Sequence, residues 1–399
     1  MTQEMPTWAA KGLWPEHEGE RSLFDGSIAF PIMALRESAL ENNVRQLAAF
    51  AERHGLAFAP HGKTTMSPQL FARQLDAGAW GITVASGQQA RVARAFGVER
   101  ILIANEVLDP ATLAWIAAES AAGGAGEILF LVDSDEGIAA ASAAALAAGA
   151  TLPVLVDIGF SGGRTGVRTR EEAERIGRRA HGAVGLALRG VSSYEGALKT
   201  VADVTAYFDG VRDVVGRLRD ALPETPIVSA GGSAYFDRVG AELGDDWARD
   251  AGVQVVLRSG AYLSHDDGVY VGKTGFNRIP EEGRLAAAVE VWAHVVSAPE
   301  PGLAIVAMGK RDAPYDEGLP TPLAVRRPDG SVIAVDGRAS VPALDDQHGY
   351  VRFDEELALR PGDLVRFGIS HPCTAFDKWR ALPILDDEDR IVEVVDTWF

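Results

Sequence analysis

Between about residues 38 and 270 short, almost continuously apolar runs alternate with stretches of helical periodicity. The runs fall at 56–60, 81–85, 101–105, 128–132, 153–157, 187–192, 227–230 and 253–258. Hydrophobicity without polar alternation is the mark of parallel strands covered on both faces. Between the runs, Leu40, Val44, Leu47 and Ala51, and again Val204, Phe208, Val211, Val215, Leu218 and Leu222, recur at three- and four-residue spacing. Each set gives a helix one apolar face to lay on a sheet. Eight strands separated by helices predict an α/β fold, a (β/α)8 TIM-like barrel, with an open doubly wound sheet as the alternative. After about residue 280 the helical period fades. Runs at 285–296, 303–308, 331–335, 350–353, 363–368 and 391–398 take over, broken by turns such as Pro328-Asp329-Gly330 and Pro361-Gly362-Asp363. These predict a C-terminal, mostly antiparallel β domain. The expected units are a barrel over residues 28–275 and a β domain over 276–399, with residues 1–27 packing on the second.

Composition narrows the partners. Of 399 residues, 47% are hydrophobic and 24% charged, an ordinary globular balance. The formal net charge of −18 argues against a nucleic-acid partner, whose phosphates call for basic patches. No apolar run reaches the roughly 18 residues of a membrane span. The alanine-rich stretch 138–150 is too short and reads as a buried helix. Residues 1–10 lack the apolar stretch of a signal peptide. The single cysteine, Cys373, can form no internal disulfide, which fits a cytoplasmic protein.

In a parallel barrel the reactive groups stand at the C-terminal ends of the strands. That rule alone singles out His61-Gly62-Lys63 after the first run, Asp157 and Gly159 with Arg164 after the fifth, Ser193-Tyr194-Glu195-Gly196 after the sixth, Gly231-Gly232-Ser233 after the seventh, and Arg258 to Tyr262 after the eighth. A lysine set between an apolar strand and a turn can lose part of its hydration and become a nucleophilic amine; it could equally be a surface lysine in a loop. Gly231-Gly232-Ser233 could offer backbone amides to a phosphate, or simply make a tight turn. An aldehyde at one end and a phosphate at the other would suit both places, and pyridoxal phosphate has that form. His371-Pro372-Cys373 sets an imidazole and a thiol two residues apart, a pair suited to zinc. The same three residues could be a free buried cysteine beside a hydrogen-bonded histidine.

Several of these segments together resemble one family. Phe58-Ala59-Pro60-His61-Gly62-Lys63-Thr64-Thr65 is similar to the cofactor-lysine segment of the D-serine dehydratase and D-threonine aldolase family, alanine-racemase-like fold-type III pyridoxal-phosphate enzymes. The similarity continues through 76–85, Asp157-Ile158-Gly159, Arg164-Thr165-Gly166-Val167, Tyr194-Glu195-Gly196, 229–233, Asp346-Gln347-His348-Gly349 and Ser370-His371-Pro372-Cys373. The resemblance implies a homodimer, pyridoxal 5'-phosphate linked to Lys63, and Lys63 as the base at the α-carbon. It places His61, Arg164 and Tyr194 near the cofactor ring and Gly231, Gly232, Ser233 and Tyr262 at the phosphate. His371 and Cys373 become ligands of zinc, with manganese or magnesium as alternatives. His348 is a further candidate contact of the substrate or metal, and equally a surface histidine in the turn before Gly349.

Within the family a cysteine as second metal ligand goes with dehydration, and a carboxylate with aldol cleavage. Cys373 therefore points to β-elimination from a D-β-hydroxy amino acid such as D-serine, giving a keto acid and ammonia. The alternatives are retro-aldol cleavage to glycine and an aldehyde and, outside catalysis, a protein that binds and buffers pyridoxal phosphate.

Overall fold

The computed structural model describes residues 11, 21–124 and 126–399. Eight parallel strands form the first sheet: β1 (Ala57–Phe58), β2 (Ile82–Val84), β3 (Arg100–Glu106), β4 (Glu127–Val132), β5 (Leu152–Ile158), β6 (Leu186–Ser193), β7 (Ile227–Ala230) and β8 (Gln254–Leu257). Each pairs with its chain neighbour from β2 to β8, and β8 pairs with β1. The seam between β1 and β2 is joined by a parallel bridge from His61 to Thr83, while the Trp80 and Thr83 amides donate to the Phe58 and Pro60 carbonyls at 2.7 and 2.9 Å. The barrel is therefore the closed form of the two read from the sequence.

The strand composition explains the layers. On β4, Ile128, Phe130 and Val132 face the helices, while Leu129 and Leu131 join Ala59, Leu102, Leu155, Ile227 and Val256 in the barrel lumen. Both faces are apolar, so the runs lack alternation. Helices begin soon after strand ends because Ser86, Asp109, Ser134, Thr169 and Thr200 cap them, each side chain accepting an amide three residues on. The first predicted face is buried on helix Glu37–Arg53, apart from half-buried Val44. On Val201–Arg217 the face runs from Val204 to Val215. The helix stops before Leu222, which packs from the following turn. The alanine-rich helix Asp135–Ala148 departs from expectation. Only the stripe Gly137, Ile138, Ala141 and Ala145 is buried, and Leu146 on its outer side is 59% exposed.

The second sheet has eleven strands and is mostly antiparallel. Its centre, Val289–Glu300, pairs with Leu303–Val306, Leu364–Gly368 and Ile32–Arg36. Ile32–Arg36, inside the span read as barrel, thus belongs to this sheet. It also runs parallel beside Ala381–Leu385. Arg21–Ser22 pairs with Arg390–Asp396, and the Lys11 amine lies 2.5 Å from Asp312, so these N-terminal residues rest on the second unit. The rest of residues 1–20 lies outside the described residues. Among the described residues no helix is long and apolar enough to cross a membrane.

Arg36 and Glu290 tie the two chain ends together. Arg36 Nε and Nη2 donate to the two Glu290 oxygens at 3.1 and 2.7 Å, Nη1 to the Asp386 carbonyl, and Trp292 Nε1 donates to Glu290 at 2.8 Å. Glu290 is 4% exposed. Glu290→Ala leaves a largely buried guanidinium without its main counter-charge. It should lower stability by about 3 kcal/mol, read from the urea midpoint, with Glu290→Gln costing less.

Candidate active site

The C-terminal ends of the barrel strands open on a cavity of about 270 Å³. Lys63 enters it from a tight turn, Gly62–Thr64, directly after β1. Gly62 makes that turn possible. A Cβ there would fall 2.6 Å from the Phe71 ring and 2.9 Å from Ile82, so any larger residue would push the lysine off its seat. Burial lowers the Lys63 ammonium from its ordinary value, the Arg164 and Arg258 charges lower it further, and Cys373 opposes them. The result is an amine that is free at lower pH than an ordinary lysine, which is what addition to an aldehyde needs. Burial, with Lys63, Arg258 and Arg164 nearby, holds His61 well below the usual imidazole range, so its ring is neutral at physiological pH. Its Nδ1 is buried and, among the described residues, has no hydrogen-bond partner.

Arg164 lies across the Tyr194 ring, 4.4 Å from its centroid, and both side chains line the cavity. Gly231, Gly232 and Ser233 line it as well. Gly231 sits at φ +95°, a conformation open to glycine. The amides of Gly231 and Gly232, however, are already used. They donate to Glu195 at 3.2 and 2.7 Å, and Glu195 is fully buried. The expected phosphate cradle is therefore shifted. Among the described residues, the amides of Ser233 and Gly260, which both line the cavity, have no acceptor and remain for an anion. Tyr262, expected at the phosphate, stands elsewhere. It does not line the cavity; its ring packs on Phe58 and its hydroxyl accepts from Gln74 Nε2 at 2.8 Å. His348 is exposed in the turn between Ala339–Leu344 and Gly349–Phe353 and does not line the cavity either.

Cys373 reaches the cavity from the second unit. Its Sγ lies 3.6 Å from the Thr64 hydroxyl, next to the lysine. His371 takes a left-handed backbone, φ +66°, held by its amide donating to Asp266 at 2.8 Å. Such a conformation costs a non-glycine residue about 1–3 kcal/mol and persists only where its surroundings impose it. Its Nδ1 lies 2.7 Å from Asp316 Oδ2, which leaves Nε2 as the uncommitted ring nitrogen, and the ring stands within hydrogen-bond reach of Cys373. Burial alone would push the Cys373 thiol up. The His371 hydrogen bond and charge, with Thr64 and Lys63, outweigh it and bring the thiol below its ordinary value. A carboxylate behind an imidazole that faces a thiolate is how metal-binding histidines are oriented. This donor pair fits zinc. Among the described residues no third histidine, cysteine or carboxylate completes a shell, so the other positions would fall to water or substrate oxygen.

Strand-end reasoning found Lys63, Arg164, Tyr194 and the 231–233 turn, and the structure brings them to one mouth. It assigned no role to Glu195 or Arg258 and passed over Glu106, although Glu106 ends β3 and the same rule reaches it. Asp316 lies in a loop of the second unit, where no motif marks it.

Residues 35–250 match the family model of the alanine racemase N-terminal domain, and residues 288–385 match that of a serine dehydratase domain. The chain is 28% identical to a 3-hydroxy-D-aspartate aldolase of Paracoccus denitrificans, covering 85% of this chain and 86% of the relative. It is 27% identical to a D-threonine aldolase of Arthrobacter sp, over 92% and 91%. Among solved structures, D-threonine aldolase of Filomicrobium marinum superposes with a TM-score of 0.78 at 26% identity, over 93% and 95% of the chains. D-threo-3-hydroxyaspartate dehydratase of Delftia sp. HT23 does so with 0.74 at 23%, over 93% and 97%. Solved variants of a dehydratase of that name replace a histidine or, two positions on, a cysteine by alanine, the cysteine variant being metal-free. With its lysine-bearing barrel mouth and both matched regions, the chain belongs to the D-serine dehydratase and D-threonine aldolase family of fold-type III pyridoxal-phosphate enzymes.

Proposed function

We propose that this protein is a pyridoxal-phosphate- and metal-dependent lyase that dehydrates and deaminates a D-β-hydroxy amino acid to a keto acid and ammonia. The observation that carries the reading is the meeting of two chemistries at one cavity. The Lys63 amine and the His371–Cys373 pair stand side by side, joined through the Thr64 hydroxyl and Cys373.

Pyridoxal phosphate would supply an electron sink for the α-carbon, and zinc would supply Lewis acidity at the β-oxygen. The chain's own residues do the rest. Lys63 anchors the aldehyde end and takes the α-proton on its Nζ. The Ser233 and Gly260 amides hold the phosphate end, and Arg164, over the Tyr194 ring, presents a cation to a carboxylate or ring oxygen. His371 and Cys373 hold the metal, with Asp316 orienting the imidazole.

Elimination is favoured over aldol cleavage by the state of Asp316. Retro-aldol cleavage needs a base for the β-hydroxyl proton. Asp316, the carboxylate beside the metal ligands, is committed to Thr374 at 2.9 Å and to His371 at 2.7 Å. Both of its oxygens are taken by these bonds, which leaves it poorly placed to accept the β-hydroxyl proton. Aldol cleavage stays the second reading because the similar Paracoccus and Arthrobacter enzymes are aldolases by name.

The test is to assay products from D-serine, D-threonine and D-threo-3-hydroxyaspartate with pyridoxal phosphate and zinc present. Keto acid with equimolar ammonia is expected. Glycine with an aldehyde would overturn elimination, and no turnover of any of them would return the protein to cofactor binding alone.

A further inference from the structure

Two carboxyl groups, Asp157 on the cavity wall and Glu106 against it, take no part in the proposed reaction. Glu106 ends β3, where the ladder to β4 slips in register, and Asp157 lies one residue before the end of β5. Their side chains stand within hydrogen-bond reach of each other. Their surroundings differ sharply. Asp157 is 6% exposed and well supplied. It accepts the Thr165 hydroxyl at 2.9 Å, has the Ser192 side chain against it, and faces the buried Arg258 guanidinium. Both Glu106 oxygens are buried and, among the described residues, receive no conventional donor. The charges that face Glu106 are Asp157 and, at the end of β4, Asp133, which accepts the Gly166 amide. The remaining titratable groups near Asp157 are Tyr207, whose hydroxyl bonds the Ile158 carbonyl, and, across Arg258, Glu195.

Two buried carboxylates in contact cannot both stay ionised; one proton must lie between them. It belongs on the member that lacks donors. We propose that Glu106 and Asp157 form a one-proton pair in which Glu106 carries the proton and donates it to Asp157, while Asp157 stays ionised at the cavity wall. Glu106 thus acts on the mouth through the charge of the pair and touches neither substrate nor cofactor. Burial raises both carboxyls. The Asp157 and Asp133 charges add to it at Glu106, which is pushed to about 8, whereas Arg258, Thr165 and Ser192 work against it at Asp157.

The pair sets the charge of the mouth. Lys63, Arg164 and Arg258 line the mouth together with Asp157, and a phosphate must still be attracted there. A further negative charge on Glu106 would weaken that attraction. The shared proton withholds it at neutral pH and releases it as pH rises past the pair's own range.

Infrared difference spectroscopy on the full-length apoprotein tests this without any turnover, so it stands or falls separately from the proposed reaction. The parent-minus-Glu106→Gln spectrum at about pH 7 should contain the carbonyl stretch of a protonated carboxyl, and in the parent that band should fade as pH passes about 8. Asp157→Asn, which hands Glu106 an amide donor, should move the fading to lower pH. Pyridoxal phosphate affinity supplies the second readout. From about pH 7 to about pH 9 the Kd of the parent should rise relative to that of Glu106→Gln, by up to about tenfold. A role confined to packing would shift both proteins alike. The proposal is overturned by a missing difference band, by a band that fades with ordinary carboxylates near pH 4.5, or by a Kd ratio that does not change with pH.

Discussion

Lys63→Ala should abolish turnover, with kcat/KM falling by on the order of 10⁴-fold or more, while the fold stays intact. Two losses combine. The aldehyde anchor is gone, and so is the base at the α-carbon, a role that by itself contributes about 10²–10⁴-fold. Among the described residues no other lysine lines the cavity to take its place. Stability should not suffer, because the Lys63 amine stands near Arg164 and Arg258 and its removal relieves repulsion between like charges. A melting temperature equal to or slightly above the parent's, together with lost activity and lost absorbance of the lysine-linked cofactor, is the expected pattern. Retained activity in this variant would show that the mouth is not where the chemistry occurs.

Cys373→Ala should separate the two centres. Disturbing even an outer-shell partner of a metal costs about 10–100-fold, so removing the thiolate itself should lower elimination by about 100-fold or more. Metal content should fall with it. The lysine-linked cofactor absorbance should persist, because Cys373 hydrogen-bonds the Lys63 turn at the Thr64 hydroxyl, 3.6 Å away, and not at the lysine amine. Cys373→Ser, a harder and less acidic donor, should retain less zinc than the parent. Full activity of Cys373→Ala after chelation would remove the metal from the reaction.

The barrel was legible because burial on both faces leaves a plain trace, an unbroken apolar run such as Ile128–Val132 within β4. The second sheet was less so, and the reason is local. Three strands missing from the sequence reading, Thr321–Arg326, Ala339–Leu344 and Ala381–Leu385, each contain a proline, at 322, 342 and 383. In the first two the ladder bulges beside that proline. Proline removes a ladder donor, so each segment reads as non-strand until a partner strand is seen. Ile32–Arg36 escaped for another reason: it runs straight into helix Glu37–Arg53 with no turn residue between.

The site shows the same division between local and distant causes. Lys63 could be found because its position follows from the strand before it. Tyr262 could not be aimed, since the direction of a side chain in a turn follows neither helical nor strand period, and here it is fixed by Phe58 and Gln74 on other elements. Gly231-Gly232 looks like an anion cradle in any sequence; only the buried Glu195 beside it shows that the amides are taken. His348 follows the sheet that carries it, and that sheet's topology rests on pairings hundreds of residues apart, such as Ile32–Arg36 with Val289–Glu300.

Lys63 is the residue proposed to hold the cofactor at the barrel mouth. Borohydride reduction of the protein loaded with pyridoxal phosphate, followed by peptide mapping, addresses this directly. One pyridoxyl group per chain, on Lys63, is the expected result. A pyridoxyl group on another lysine, or none at all, would contradict it.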